Sequence, residues 1–553
     1  MIFGLKLLLM NNFVVKGRIV DILQRKIYSG SVHVREGKID KIVPEDVSEK
    51  NYIMPGFTDS HVHIESSMLT PQNLGWLTVS HGTVAVVTDP HEIANVMGIK
   101  GINFMIENGK KSPLKLFFTV PSCVPSTPFD VSGDVVTSAD VKKMLETGKF
   151  VGLSEMMNVP GVLGKDSEVM AKLQSAKDCG LPIDGHAPGL SGDALLKYVK
   201  SGITNDHECS NLKEAEEKLS AGMKIIIREG SAARNYEPLK SLIRTDPKDV
   251  MFCTDDSHPD DIIHLGHIDK IVRMAVGDGF DLFDVLKIAC LNPVKYYNLK
   301  VGTLQKGDYA DFIVVKDLHD FKVQQNYING IKVFDAVSPD KRECIVADSF
   351  VCINKFNHER IAVSELKKEV KNSIIVISLT DGELLTAPYE YQPEKPLKNM
   401  ESDIKNDILK IVYINRYSNG TPQVSFIKGF HLKKGAIASS VAHDSHNILS
   451  VGCSDGEIAE AINRLIEEKG GLTVSFEGKT YALPLPVGGI MSDKKGDEVA
   501  ARYSELCDYV RQMGCNLRAP FMTLSFMSLV VIPEIKVGEK GLFSYSKFNW
   551  LKE

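Results

Sequence analysis

The sequence predicts an α/β protein: a (β/α)8 barrel, a small β-sandwich domain that is discontinuous in the chain, and an added C-terminal α+β domain. Three observations carry this. Between Met54 and about Leu299, short apolar runs alternate with longer stretches of helical character, as strands and their covering helices alternate in a barrel. Polar residues follow nearly every one of those runs. Further β-rich runs with turn glycines lie on both sides of the region.

At 553 residues the chain exceeds one ordinary core, so two or three domains are expected. Residues 1–53 are the first part of the small β-domain: Phe13 to Val20, Ser31 to Val34 and Lys38 to Val43 form a meander that ends near Asn51. Residues 54–299 are the barrel. Its candidate strands are Gly56–Ser60, Val84–Thr88, Leu116–Val120, Val151–Ser154, Ile183–Gly185, Ile203–Asn205, Lys224–Ile227 and Met251–Cys253. Val84-Ala85-Val86-Val87 is apolar on both faces, as a parallel strand under helices is. A doubly wound open sheet is the rival, but it usually carries a glycine-rich turn after its first strand, and His61-Val62-His63 stands there instead.

After Asn292-Pro293, the stretch Gly302 to Val315 returns to the β-domain, which makes residues 300–345 its second part. Residues 346–553 are the C-terminal domain. There Ser454-Asp455-Gly456-Glu457 reads as a capping box ahead of the stripe Ile458, Ile462, Leu465, Ile466, which Gly470-Gly471 ends. A second helix carries Val499, Tyr503, Leu506, Val510 and Met513. Strand-like runs are expected at Ile374–Ser378, Ile408–Ile414 and Leu529–Ile532.

Composition excludes several classes. A hydrophobic share of 43% and a charged share of 25% are ordinary for a globular protein. A net charge of −6 gives no electrostatic case for nucleic acid or an anionic membrane as partner. The ten cysteines are scattered with no C-x-x-C pair, which argues for a reducing, cytoplasmic setting. The apolar start, Ile2 to Met10, is too short to span a bilayer and lacks a small-residue cleavage site. Met10 is a candidate start in place of Met1.

The polar residues after the strands carry the chemistry. Barrel active sites are built at the C-terminal strand ends, so these residues converge on one face. Residues i and i+2 of a strand share a side, so His61 and His63 can serve one ion, and Asp59 can orient a ligand imidazole. His186 and His207 can serve a second ion, with Glu155 between the two. Asp255 ends the last strand and can bind metal while handling protons. Imidazole with carboxylate suits Zn, Mn or Fe. Two such ions lower the pKa of a shared water. Other motifs fail: Gly478-Lys479-Thr480 lacks the earlier phosphate-loop glycine, and His91-Glu92 lacks a second histidine at Asn95.

Pro55-Gly56-Phe57-Thr58-Asp59-Ser60-His61-Val62-His63 resembles the first-strand signature of the amidohydrolase superfamily. Narrower matches are His-Ile-Glu-Ser-Ser at 63–67, Thr-Asp-Pro-His-Glu-Ile-Ala-Asn at 88–95 and Ser-Glu-Met-Met-Asn at 154–158. With Gly-His-Ala-Pro-Gly at 185–189, Asn-Asp-His-Glu at 205–208 and Cys-Thr-Asp-Asp at 253–256, they resemble the bacterial and archaeal adenine deaminases. The resemblance implies hydrolysis of adenine to hypoxanthine and ammonia by a metal-activated hydroxide at a binuclear site. It implies manganese as the ion pair, with iron or zinc as alternatives, and a homo-oligomer, dimer or larger. His61, His63, Glu155, His186, His207 and Asp255 would be the metal ligands. Asp255, Asp256 and Glu208 would be catalytic, and Glu65, Asp89, His91 and Glu92 would grip the purine. Related enzymes bridge their metals with a carboxylated lysine on the fourth strand; here Lys149 and Lys165 lie off that strand and Glu155 takes its end. His443-Asp444-Ser445-His446 reads as either a cap over the site or a polar surface loop. The rival activities are cleavage of a cyclic amide or an N-acetyl group, and the non-enzyme rival is a metal-dependent scaffold.

Overall fold

The computed structural model describes residues 12–338 and 353–551. The choice between Met1 and Met10 as the start, and the boundary expected at 345/346, lie outside the described residues.

The chain opens with strands β1 (Phe13–Asp21), β2 (Lys26–Arg35), β3 (Lys38–Pro44) and β4 (Tyr52–Pro55). Eight barrel strands follow: β5 (Phe57–Val62), β6 (Thr83–Thr88), β7 (Lys115–Phe118), β8 (Leu153–Met156), β9 (Ile183–Gly185), β10 (Asn205–Asp206), β11 (Lys224–Arg228) and β12 (Val250–Cys253). The pairings β5–β6–β7, β8–β9 and β10–β11–β12 are parallel. Backbone bonds at the strand ends close the gaps between them. Val120 N donates to Gly152 O at 2.9 Å, Thr204 N to Ile183 O at 3.0 Å, and Asp255 N to His61 O at 3.0 Å. The last of these joins β12 to β5, so the eight strands make a closed ring. β5, β6, β8 and β12 are buried at every position, the double-sided burial that their continuous apolar runs require. Gly185 ends β9 because the backbones crowd there: a Cβ would meet Asn205 O at 2.3 Å.

β13 (Phe312–Val315), β14 (Val323–Ile328) and β15 (Ile331–Asp335) join the first four strands in one sheet, ordered β15-β14-β13-β4-β1-β2-β3. The meander therefore does not end near Asn51; β4 extends it, pairing with β1 and β13 across the boundary expected at 53/54. Ile19, Val32, Ile53, Phe312 and Val314 share one buried cluster. Asn326 ties the sheet to the barrel by donating to Val79 O at 2.9 Å and Thr83 O at 3.0 Å.

The C-terminal part holds β16 (Ile374–Leu379), β17 (Thr386–Tyr391), β18 (Leu409–Ile414), β19 (Gln423–Lys428), β20 (Ala436–Ser439), β21 (Ile448–Gly452), β22 (Gly471–Phe476) and β23 (Lys479–Pro484). They form one sheet in the order β17-β16-β19-β18-β21-β20-β22-β23. The helix Asp455–Glu468 buries Ile458, Ile462, Leu465 and Ile466 as its periodicity requires. Its capping box is half formed: Ser454 Oγ accepts from Glu457 N at 3.3 Å, but the Glu457 carboxylate takes Gly435 N at 2.9 Å rather than the cap backbone. The helix Gly496–Gln512 buries Val499, Tyr503, Leu506 and Val510.

Leu529–Ile532 is not a strand. It is a buried irregular segment after the helix Pro520–Ser525 and a short 3-10 turn. Its residues are apolar because they are enclosed over the barrel mouth, a demand that composition alone cannot separate from strand pairing. Among the described residues no helix is long and apolar enough to cross a membrane.

Candidate metal centre

The barrel geometry gathers the strand-end residues into one buried cluster. His61 is the penultimate residue of β5, and His63 follows the strand in extended backbone, with φ −95° and ψ 100°. Their Nε2 atoms stand 3.1 Å apart. Asp255 Oδ1 lies 3.4 Å from the first and 3.2 Å from the second. Glu155, on β8, reaches both halves of the cluster: its Oε1 is 3.2 Å from His63 Nε2, while its Oε2 is 2.7 Å from His186 Nδ1 and 3.2 Å from His207 Nε2. Lys149 and Lys165 are both exposed and away from this point.

Neighbouring side chains fix these groups by their backbones. Tyr198 OH accepts from His186 N at 3.1 Å and donates to Met156 O at 2.7 Å, joining the ends of β8 and β9. Ser122 Oγ donates to Glu155 O at 2.5 Å. Fully buried Lys218 binds Ala187 O at 2.7 Å and pairs with Asp206 at 3.1 Å and Glu214 at 2.7 Å, fixing the turns that follow His186 and precede His207. Asn235 Nδ2 donates to His207 O at 2.9 Å. Asp59 does not orient a ligand imidazole. Its Oδ1 accepts from the backbone N–H of His61 and of Thr254, each at 3.2 Å, and its Oδ2 lies 3.3 Å from His267 Nε2. The β5–β6 register shifts between Asp59 and Val62, and this irregularity breaks the strict alternation that would put Asp59 on the side of His61 and His63.

The donor set suits divalent cations. Imidazole nitrogens and carboxylate oxygens of His61, His207 and Asp255, and of Glu155, His186 and His207, form groups whose ligating atoms lie within 4.8 Å of one another. His186 Nε2 and His207 Nδ1 are buried without a hydrogen-bond partner. Burial raises the Glu155 carboxyl, but the His186 and His207 imidazoles outweigh it and hold the group well below the ordinary range. Burial likewise acts against Asp255 ionising, and the Arg228 guanidinium outweighs it. Asp256 goes the other way, raised by burial and by the Asp255 charge. Its Oδ1 accepts from Ser66 Oγ at 2.5 Å.

Arg228, at the end of β11, is one of the polar residues that follow the candidate barrel strands, and the sequence gives it no specific role, yet it grips two candidate residues. It donates to Asp255 Oδ2 at 2.7 Å and to Glu208 Oε2 at 3.0 Å. A lone arginine at a strand end has no periodic signature, and only its partners reveal it. Glu208 is thereby held well below its ordinary range: burial opposes ionisation and the Arg228 charge overrides it.

The four residues expected to grip a purine separate into two pairs. His91 and Glu92 line the cavity beside the cluster. Glu65 and Asp89 lie behind that lining. Glu65 Oε1 accepts from Ile93 N at 3.1 Å, and burial lifts its carboxyl to about 7. Asp89 Oδ2 holds His91 Nδ1 at 2.8 Å. The His443–His446 turn is not a surface loop: both histidines and Asp444 are buried, His443 and Asp444 line the same cavity, and both histidines contact Glu92. Leu384, Phe526, Leu529 and Ile532 supply an apolar roof from the C-terminal part.

Residues 52–333 match the Amidohydrolase family, and residues 383–549 match the Adenine deaminase C-terminal domain. The adenine deaminase of Methanosarcina acetivorans is 48% identical over 97% of this chain and 98% of its own. That of Borreliella afzelii is 47% identical over 98% of this chain and all of its own. A solved β-aspartyl dipeptidase from Fervidobacterium islandicum is 15% identical, with a TM-score of 0.47 over 60% of this chain and 98% of that one.

Proposed function

The chain belongs to the amidohydrolase family and, within it, to the adenine deaminases, and we infer from this that it hydrolyses adenine to hypoxanthine and ammonia at a binuclear metal site. It is a metal-dependent hydrolytic deaminase. The observation that carries the binuclear reading is the Glu155 carboxylate, one oxygen of which faces His63 while the other faces His186 and His207. His61 and His63 would hold one ion and His186 and His207 the other, with Glu155 across both and Asp255 against the first. Manganese suits this donor set, as do iron and zinc. Bound there, two divalent ions supply a water acidic enough to ionise near neutral pH.

This chain's residues do the rest. Asp255, kept ionised by Arg228, accepts the proton of the attacking water at Oδ1. It returns that proton to the amino nitrogen as the C–N bond at purine C6 breaks and ammonia leaves. Adenine is aromatic, so attack at C6 also needs a proton on a ring nitrogen. Asp256, whose burial favours the protonated form, supplies it, and takes back the proton of the C6 hydroxyl as the carbonyl of hypoxanthine forms. Arg228 and Glu208 form a fixed ion pair that sets the orientation of Asp255. The roof of Leu384, Phe526, Leu529 and Ile532 covers the flat face of the base and excludes bulk water.

The same reading divides the chain into a β-domain of residues 1–53 and 300–345, a barrel of 54–299 and a C-terminal domain of 346–553, with β4 carrying the β-domain's sheet past the first boundary to Pro55. It places the enzyme in the cytoplasm, where the eight cysteines among the described residues, all free, stay reduced. The test is ammonia release by the manganese-loaded chain from adenine, set against ring opening of a cyclic amide and acetate release from an N-acetyl sugar. Release from adenine alone is expected. Turnover of either rival in preference to adenine would overturn the reading.

A further inference from the structure

A second group of ligating side chains spans the seam between the barrel and the C-terminal part. His91 and Glu92 open the helix His91–Gly109, and His443, Asp444 and His446 come from the turn after β20. All five are buried. Ligating atoms of His91, Glu92 and Asp444 lie within 4.8 Å of one another.

Imidazoles alone face the carboxylates of this group. Asp89 Oδ2 takes His91 Nδ1 at 2.8 Å, so the His91 lone pair sits on Nε2. That nitrogen lies 3.4 Å from Glu92 Oε1 and 3.7 Å from Asp444 Oδ1. A ring nitrogen facing two carboxylate oxygens calls for a positive centre between them, either a proton on Nε2, which burial opposes and the Asp89 and Glu92 carboxylates favour, or a bound cation. Glu92 Oε1 also meets His443 Nδ1, and its Oε2 meets His446 Nε2. The ion pairs of Glu92, Asp444 and Asp89 among the described residues are with histidines, not with Lys or Arg. Asp444 Oδ2 and His443 Nε2 are buried with no hydrogen-bond partner at all.

We propose that His91, Glu92, His443 and Asp444 bind a third divalent transition-metal cation, which ties the C-terminal part to the barrel. Mixed imidazole and carboxylate donors select that class of ion. The Asp89–His91 pair is the carboxylate–histidine arrangement that orients a metal-binding imidazole, and His446 Nε2 stands against the far oxygen of Glu92 without a hydrogen bond to it. The site adjoins the binuclear centre and opens on the same cavity: ligating atoms of His91 also lie within 4.8 Å of those of His63 and Glu155, and its Nδ1 comes within 3.6 Å of Glu155 Oε1. It requires both parts of the chain, so it forms only once they dock.

The test is the metal content of the full-length chain, stripped, reloaded with Mn2+ alone, desalted and read by mass spectrometry. Three ions per chain are expected, falling to two in Glu92→Gln and in Asp444→Asn. Two ions in the unaltered chain, or three retained in both variants, would overturn the site and leave a doubly protonated His91 as the counter-charge. Asp444 lies outside the barrel, so Asp444→Asn decides the matter if Glu92→Gln fails to fold. Glu155→Gln keeps the two readings apart. Retention of one ion fits both, whereas retention of every ion would remove the binuclear reading and leave the third site standing.

Discussion

The two halves of the active face are built in different ways. The His61, His63, Glu155, His186, His207 and Asp255 half comes entirely from barrel strand ends, each fixed by the ring of backbone bonds that closes the barrel. The other half, His91 and Glu92 against His443, Asp444 and His446, exists only where two parts of the chain meet, with Glu92 and His443 351 residues apart in sequence. The first half is rigid by construction. The second depends on docking, and the apolar roof depends on it too. The proposed reading puts the chemistry, which must hold its geometry to fractions of an ångström, in the first, and closure over the substrate in the second.

The largest break in this comparison is to remove the second half. A chain ending near residue 345 is expected to lose adenine turnover entirely and to aggregate. Barrel residues such as Leu69 and Val84 share one apolar cluster with C-terminal residues such as Val499 and Leu524, and truncation would expose it. A truncated chain that stays monomeric and deaminates adenine normally would show that the barrel suffices. Next comes the proton path within the first half. Asp255→Asn should fold and lose turnover by about 10²-fold or more, the general acid–base range. Asp256→Asn should lose less, and the comparison is made at matched metal occupancy. If Asp256→Asn is the dead variant and Asp255→Asn turns over nearly normally, the division of labour is reversed. The smallest effect belongs to the roof: Leu529→Ala should leave metal content unchanged and lower kcat/KM by about tenfold, the worth of a few methylenes against a bound ligand. An unchanged kcat/KM would mean that the segment does not touch the substrate.

What was legible in the sequence follows the same division. The barrel strands are readable because a strand buried on both faces must be apolar throughout, and β6, Thr83–Thr88, differs by one residue from its expected span. The residues after each strand could then be grouped without seeing any contact. β10 was placed too early, at Ile203 rather than Asn205, because so short a strand carries almost no pattern. Leu529–Ile532 misled because burial over a cavity and burial in a sheet demand the same side chains. The His443–His446 turn could be read as a cap or a surface loop but not decided between them, and Arg228 could be placed after a strand but given no role: a turn has no period, and the partners of both come from remote parts of the chain.

The most direct measurement concerns Glu155, the one side chain that touches both histidine pairs. Glu155→Gln would be purified, loaded with Mn2+, and compared with the unaltered chain for ions bound and adenine turned over. A neutral amide bridges two cations poorly, so the binuclear reading predicts that both fall together in a chain that remains folded by circular dichroism. Full metal occupancy in Glu155→Gln would contradict it.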